Sequence, residues 1–277
     1  MNVDGAFVAL PAAAAQPISA LSPGNEFVHP AREPIFNVPL VVLLLLAAMA
    51  LVHAVNELVL STEQTNAFLD MFAFVPARYD LRILRQYPWT LGWGAAVWTF
   101  VTYAFIHGSL MHLGFNAVWL LAFGPPVARR FGPLRFLIFF LAAAAVGAAI
   151  HLAVHHGEPM PLVGASAAIS GAMAAAMRFA FERGGPLSAF RSDDDLAYRV
   201  PAPPLSVALR DPRLIAFVAA WVVGNLFSGL GGVTLPGQDD MPIAWEAHIG
   251  GFLAGLVGFA LFDPVTDDAP SKESIEV

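Results

Sequence analysis

The sequence predicts an all-α polytopic membrane protein, a bundle of six transmembrane helices, and three observations carry that expectation. Of its 277 residues 57% are hydrophobic and only 13% charged, with a mean hydropathy of +0.66, which is more apolar surface than one soluble core can hide. The apolar residues gather in blocks of about 17 to 25, long enough to cross or nearly cross a hydrocarbon layer of roughly 30 Å. Basic residues collect in alternate connections between those blocks, as they do in a chain that crosses a bilayer repeatedly.

In chain order, residues 1–35 read as a flexible cytoplasmic lead, with no basic segment ahead of an apolar run such as a cleaved signal peptide has. The first span runs from Phe36 to Leu60 and holds only one charged residue, Glu57, near its end. A second apolar stretch, from Trp93 to Gly124, is interrupted by His107, Gly108 and Ser109; it reads as an interfacial segment followed by a helix from about Ser109. Leu134 to Val154 is the third span. The fourth, from about Ser166 to Phe181, is short and rich in Ala and Gly. A polar cytoplasmic linker, 183–212, contains the proline-rich stretch Pro201 to Pro204 and leads to the fifth span, Leu214 to Leu230. The sixth runs from Ala244 to Phe262 with Glu246 near its start, and 263–277 forms an acidic cytoplasmic tail. The membrane domain is thus expected over 36–262, as one bundle.

Arg129, Arg130 and Arg135 follow span two, and Arg183, Arg191, Arg199, Arg210 and Arg213 follow span four, so both connections are expected in the cytoplasm. The connections after spans three and five contain no Lys or Arg. Both termini are then cytoplasmic, and a bacterial plasma membrane is the expected location. Arg78, Arg82 and Arg85 run against this orientation, in a long first connection that reads as structured. The absence of cysteine removes disulfides, thiol nucleophiles and Cys-ligated zinc. The net charge of -7 comes partly from the tail and from Asp193 to Asp195, solvated runs that offer nothing to a nucleic acid.

Polar side chains are costly in hydrocarbon, so clusters of them inside spans point to function. His112 and Asn116 are four apart and share one helix face. Gly164-Ala165-Ser166, preceded by Pro161, reads as a turn into a helix that starts at Ser166. His248 lies about one turn into the last span and is followed by Gly251 and Gly255. A helix from Ser166 to Phe181 rises about 24 Å, less than the hydrocarbon thickness, which leaves Ser166 recessed from the outer surface at the depth of His248. Ala167, Gly171 and Ala175 face Ala247, Gly251 and Gly255 as two small-residue stripes, which let backbones approach closely. Such an approach brings a serine and a histidine on separate helices within reach of a hydrogen bond. His248 is then the general base and Ser166 the nucleophile, with the Ser166 N–H and the side chains of His112 and Asn116 as oxyanion donors. His107 reads as a hydrogen-bonding loop anchor beside the site, and Gly164, Gly251 and Gly255 as structural. His53 and His151 read as satisfied buried or interfacial groups, and His155 and His156 as a wet rim. Ser170 is a rival nucleophile one turn deeper. Glu246 falls on nearly the opposite helix face from His248 and makes a poor third member of a triad.

These segments resemble the motifs of the rhomboid family of intramembrane serine proteases. His107 to Asn116 is similar to its pattern of two histidines and an asparagine, Gly164 to Ser166 to its Gly-x-Ser turn, and Ala247-His248 with Gly251 and Gly255 to its last-helix motif. Gly124 to Gly132, with Arg129 and Arg130, looks like the basic turn after the family's second helix. The resemblance covers about Phe36 to Phe262. It implies a six-helix bundle in the lipid bilayer and a Ser-His dyad without a third acid. It implies no cofactor, and substrates that are single-pass membrane proteins cut near their outer ends. It also implies a gate for lateral substrate entry near span five. Three departures stand out. Ala167 replaces a common glycine; Ser170 stands where some members carry an aromatic that stacks on the catalytic histidine, so another group must orient His248; and the Trp-Arg pair of the first loop is not evident between Ser61 and Phe105.

No metal is expected. The sequence contains neither the His-Glu-x-x-His of a zinc protease nor the Gly-x-Gly-Asp of intramembrane aspartyl proteases. Two other functions are compatible with a polytopic chain: a catalytically silent relative that binds transmembrane helices, and a small-solute transporter. The first would usually lack Ser166 or His248. The second predicts matching halves with broken helices, and the first three spans do not repeat in the last three.

Overall fold

A computed structural model describes residues 38–86, 92–187, 195–229 and 243–265. The expected lead, the Asp193 and Asp194 pair, most of the connection between the last two spans and most of the tail lie outside the described residues. Among the described residues the chain is helical and forms no strand beyond an isolated bridge between Phe74 and Leu162. Among the described residues five helices are long and apolar enough to cross a membrane: α1 (Leu40–Leu58), α5 (Leu110–Phe131), α6 (Pro133–Val154), α9 (Pro212–Gly229) and α10 (Trp245–Phe262); the short α8 (Leu205–Ala208) lies in the linker. The fourth expected span is α7 (Ser166–Met177), a 12-residue helix rising about 18 Å. It ends four residues before the expected Phe181, where the backbone tightens into turns (Arg178 N–H to the Ala175 carbonyl, Phe179 N–H to the Ala176 carbonyl), and the Arg178 side chain turns inward, donating to the carbonyls of Leu256 and Pro203 at 3.0 and 2.7 Å.

The first connection is built from α2 (Thr62–Phe72), a 3-10 turn at Pro76–Tyr79, α3 (Leu81–Gln86) and α4 (Gly92–Thr102). Ser61 and Gln64 start α2 with a reciprocal capping box. Trp98 Nε1 and Thr102 Oγ1 on α4 donate to the carbonyls of Met71 and Phe72. Arg78 is buried and donates to Thr99 Oγ1 and to the carbonyls of Asp70 and Ala73. Arg82 pairs with Asp80, whose carboxyl is held below its usual range, first by the Arg82 backbone N–H and then by the guanidinium. Of the three arginines that run against the expected orientation, Arg78 is thus enclosed by the protein, whereas Arg82 stays exposed beside its partner.

Ser109 caps α5 by accepting from the His112 N–H, which explains the polar interruption at 107–109. Gly132, at φ +79°, closes α5 and opens α6 in a single residue, a left-handed conformation that glycine adopts without a Cβ clash. Beside this turn, Arg130 is fully enclosed: it forks onto Asp263 at 2.9 and 2.8 Å and donates to the carbonyls of Tyr198 and Val200. That residue ties the end of α5 to the end of α10 and to the linker.

The helix α7 sits at the centre, buried from Ala167 to Met177 and packed by α5, α6 and α10. The small-residue stripes meet as the sequence suggests. A Cβ on Gly251 would run into the carbonyl of Ala167, one on Gly255 into the carbonyl of Gly171, and one on Gly171 would lie 2.7 Å from Ala143 Cβ. The outer faces of the long helices expose apolar side chains, such as Leu44 and Leu51 on α1, Val118 on α5, Val223 on α9 and Val257 on α10. α9 is the least enclosed long helix, with 11% of its apolar window buried against 44% for α10.

Candidate active site

Because α10 begins at Trp245 and α7 at Ser166, and their small residues interlock along the helices, His248 and Ser166 emerge side by side at the same end of the bundle. His248 Nε2 is 2.7 Å from Ser166 Oγ. Both line a cavity of about 710 Å³, together with His112 and Asn116 from α5. The N-cap of α7 is Ala165, which has no side chain to cap the helix. The first-turn N–H groups of α7 therefore lack an intrahelical acceptor and carry the positive end of the helix dipole.

Gly164 N–H donates to the Tyr103 carbonyl at 3.0 Å, and φ is +112° at this residue. A Cβ there would lie 2.6 Å from His112 Nε2, so the glycine is what allows the imidazole to sit against the serine turn. Asn116 is buried and spends one amide hydrogen on the His112 carbonyl at 2.9 Å, leaving its second hydrogen free to donate. His107 differs from the expected anchor. Its ring is buried edge-on against His112, 5.1 Å between centroids, and among the described residues neither ring nitrogen meets a partner in full hydrogen-bond geometry. Its carbonyl makes the tie instead, accepting from His53 Nδ1 at 3.1 Å. Ser170 Oγ bonds back to the Ser166 carbonyl at 2.8 Å, the ordinary state of a hydroxyl within a helix.

The group that orients His248 is Asn225 on α9, which the sequence analysis missed. Its Oδ1 is 2.7 Å from His248 Nδ1, and its Nδ2 donates to the Trp245 carbonyl at 3.1 Å. The only signal was a lone amide within an apolar span, which by itself suggests a polar role but names no partner.

Glu246 is buried and faces away from the dyad, toward His155 Nε2 at 3.2 Å. Burial alone would lower the His155 imidazole, but the hydrogen bonds it donates to the Glu246 and Glu158 carboxylates outweigh it and hold the group above its ordinary value. His151 is buried as expected, but among the described residues its Nδ1 has no hydrogen-bond partner, the nearest carboxylate oxygen of Glu246 being 3.9 Å away.

The Rhomboid domain family model matches residues 94–263. Curated relatives share parts of this segment. The chain is 26% identical to the rhomboid protease GlpG of Enterobacter sp. over 179 residues, 64% of this chain and 53% of that protein. It is 26% identical to that of Yersinia pestis over 165 residues, 58% of this chain and 46% of that one. With the Haemophilus influenzae protein it shares 30% identity over 67 residues, 24% of this chain and 35% of the relative. The chain therefore spans about half or less of the length of these relatives. Together with the apolar helices, the matches make this an integral, multi-pass membrane protein.

Proposed function

Because the chain belongs to the rhomboid family, we propose that it hydrolyses peptide bonds in or near the transmembrane segments of other membrane proteins, with Ser166 as nucleophile and His248 as general base. The observation that carries this is the 2.7 Å contact between Ser166 Oγ and His248 Nε2 inside a cavity. Asn225 accepts the Nδ1 proton, which leaves the Nε2 lone pair for the serine hydroxyl. As Ser166 Oγ attacks the substrate carbonyl, its proton passes to His248 Nε2 and a tetrahedral oxyanion forms. The Ser166 N–H, the free Asn116 amide hydrogen and the His112 imidazole are its donors; losing one such donor typically costs roughly 100- to 1000-fold in rate. His248 then returns the proton to the leaving amine. A water molecule, deprotonated by the same imidazole, releases the acyl group and regenerates the serine. The sequence requires no cofactor. The substrates are single-pass proteins, and the membrane is a bacterial plasma membrane with both chain termini in the cytoplasm; of the arginines that run against this orientation, Arg78 is buried and bonded within the protein.

The test is cleavage of a single-span reporter, with small residues near the outer end of its helix, by the purified chain in lipid. Wild type cuts, while Ser166→Ala and His248→Ala do not. Equal cleavage by Ser166→Ala would overturn the assignment. A wild type that neither cuts nor reacts with a serine-directed fluorophosphonate would favour a silent helix-binding protein.

A further inference from the structure

At the rim of the catalytic cavity stand three side chains that take no part in the chemistry above. His151 closes α6, His155 caps it, and Glu246 opens α10. Each offers one donor atom, and the three atoms lie within 4.8 Å of one another. His155 Nε2 is 3.2 Å from one carboxylate oxygen of Glu246, and His151 Nδ1 is 3.9 Å from the other. Tetrahedral zinc with ligands at about 2.0–2.1 Å sets its donor atoms roughly 3.4 Å apart, so small side-chain adjustments would close these three around one ion. The histidines are four residues apart, the spacing that presents two imidazoles on one helix face.

Two further observations point to an ion rather than to an ion pair. A His155-Glu246 pair alone leaves His151 Nδ1 unexplained: the residue is 8% exposed and that nitrogen has no hydrogen-bond partner. His155 Nδ1 is 3.0 Å from a carboxylate oxygen of Glu158. A ligating histidine commonly gives its second ring N–H to a carboxylate, which fixes the ring and frees the other nitrogen for the metal.

We propose that His151, His155 and Glu246 form a binding site for one zinc-like divalent cation, with Glu158 as the outer partner of His155 and the fourth coordination position open to the cavity. The site does not depend on the protease reading, and its test uses no cleavage. The full-length Ser166→Ala chain, stripped with a chelator and held in lipid nanodiscs, is titrated with Zn²⁺ by calorimetry and with Co²⁺ by visible absorption. One equivalent binds per chain, and Co²⁺ gives the intense bands of a tetrahedral site. His151→Ala and His155→Ala abolish that binding. Glu158→Gln weakens it by about 10- to 100-fold, as loss of such an outer partner does. Should the alanine variants misfold, Glu246→Gln decides, since it keeps size and hydrogen bonding but removes the charged ligand; it too must weaken binding. Absence of a stoichiometric ion would overturn the proposal, as would binding that survives Glu246→Gln or is lost only with His248→Ala.

Discussion

Replacing Asn225 by alanine isolates the step that the fold delegates to α9. The Asn225 amide is fixed in one sense, because its Nδ2 donates to the Trp245 carbonyl and therefore turns Oδ1 toward His248 Nδ1. In that arrangement Nδ1 carries the proton and Nε2 accepts from Ser166. Asn225→Ala removes the acceptor and leaves the imidazole free to rotate or to take the other tautomer. A hydrogen bond of this kind contributes about 0.5–1.5 kcal/mol net, and an unpartnered donor left in the site costs about 1–3 kcal/mol. Taking about 1.5–2 kcal/mol, kcat falls roughly 10- to 30-fold. The loss is smaller than the roughly 10,000-fold seen when a serine-protease triad is given the wrong tautomer, because alanine imposes none. The assay is kcat and KM for the reporter in lipid, together with the rate at which fluorophosphonate labels Ser166. The label reports nucleophilicity without requiring a helix to enter. Both kcat and labelling should fall together with KM unchanged, and Asn225→Asp, which keeps an oxygen facing Nδ1, should lie nearer to wild type than alanine does. A wild-type labelling rate in Asn225→Ala, or a loss confined to KM, would refute the positioning role.

Other outcomes follow from the packing around the site. Gly251→Ala and Gly255→Ala force a Cβ into the carbonyls of Ala167 and Gly171 and should each cost about 1–3 kcal/mol or more; thermal unfolding should show this, with Gly258→Ala, which meets nothing within 4 Å, unchanged as the control. Gly164→Ala places a Cβ 2.6 Å from His112 Nε2 at a φ of +112°. Backbone strain of about 1–3 kcal/mol should lower the melting temperature, and displacement of His112 should lower kcat by about 100-fold, measured below the new melting temperature. Arg130→Ala strands Asp263 in a buried position and should cost about 3–5 kcal/mol. Arg130→Lys should recover little of it in the same unfolding assay, because an ammonium cannot fork onto the carboxylate while also serving two carbonyls.

The uninterrupted apolar runs were legible in the sequence because burial in lipid and burial in protein both demand the same residues there: Leu134 to Val154 reappears as α6 with a one-residue difference at its start. The dyad was legible for a different reason. Gly251 and Gly255 recur at four-residue spacing, and only glycine permits the close passage of two helix backbones that brings Ser166 to His248. What could not be read were pairings between elements far apart in sequence. Arg78 looks like a loop charge until its hydrogen bonds to α4 and to the end of α2 are seen. His151 looks like one more interfacial histidine until α10 brings Glu246 beside it. Asn225 was hidden most completely, since a single amide carries no periodicity and its partner lies on another helix.

Under the proposed function, the position of Asn225 joins the admission of a substrate to the orientation of His248. Among the described residues the helix that carries it is the least enclosed of the long ones, with only Leu214 buried along its length, and under the proposed function substrates would enter beside it. Yet the bond from Asn225 to His248 exists only while α9 lies against the first turn of α10. Moving α9 aside to admit a substrate would therefore release the imidazole from the orientation that serves Ser166, and its return would restore it. Under the proposed function, Ser166 and His248 would be least competent while α9 is displaced, and acyl transfer would run with it in place.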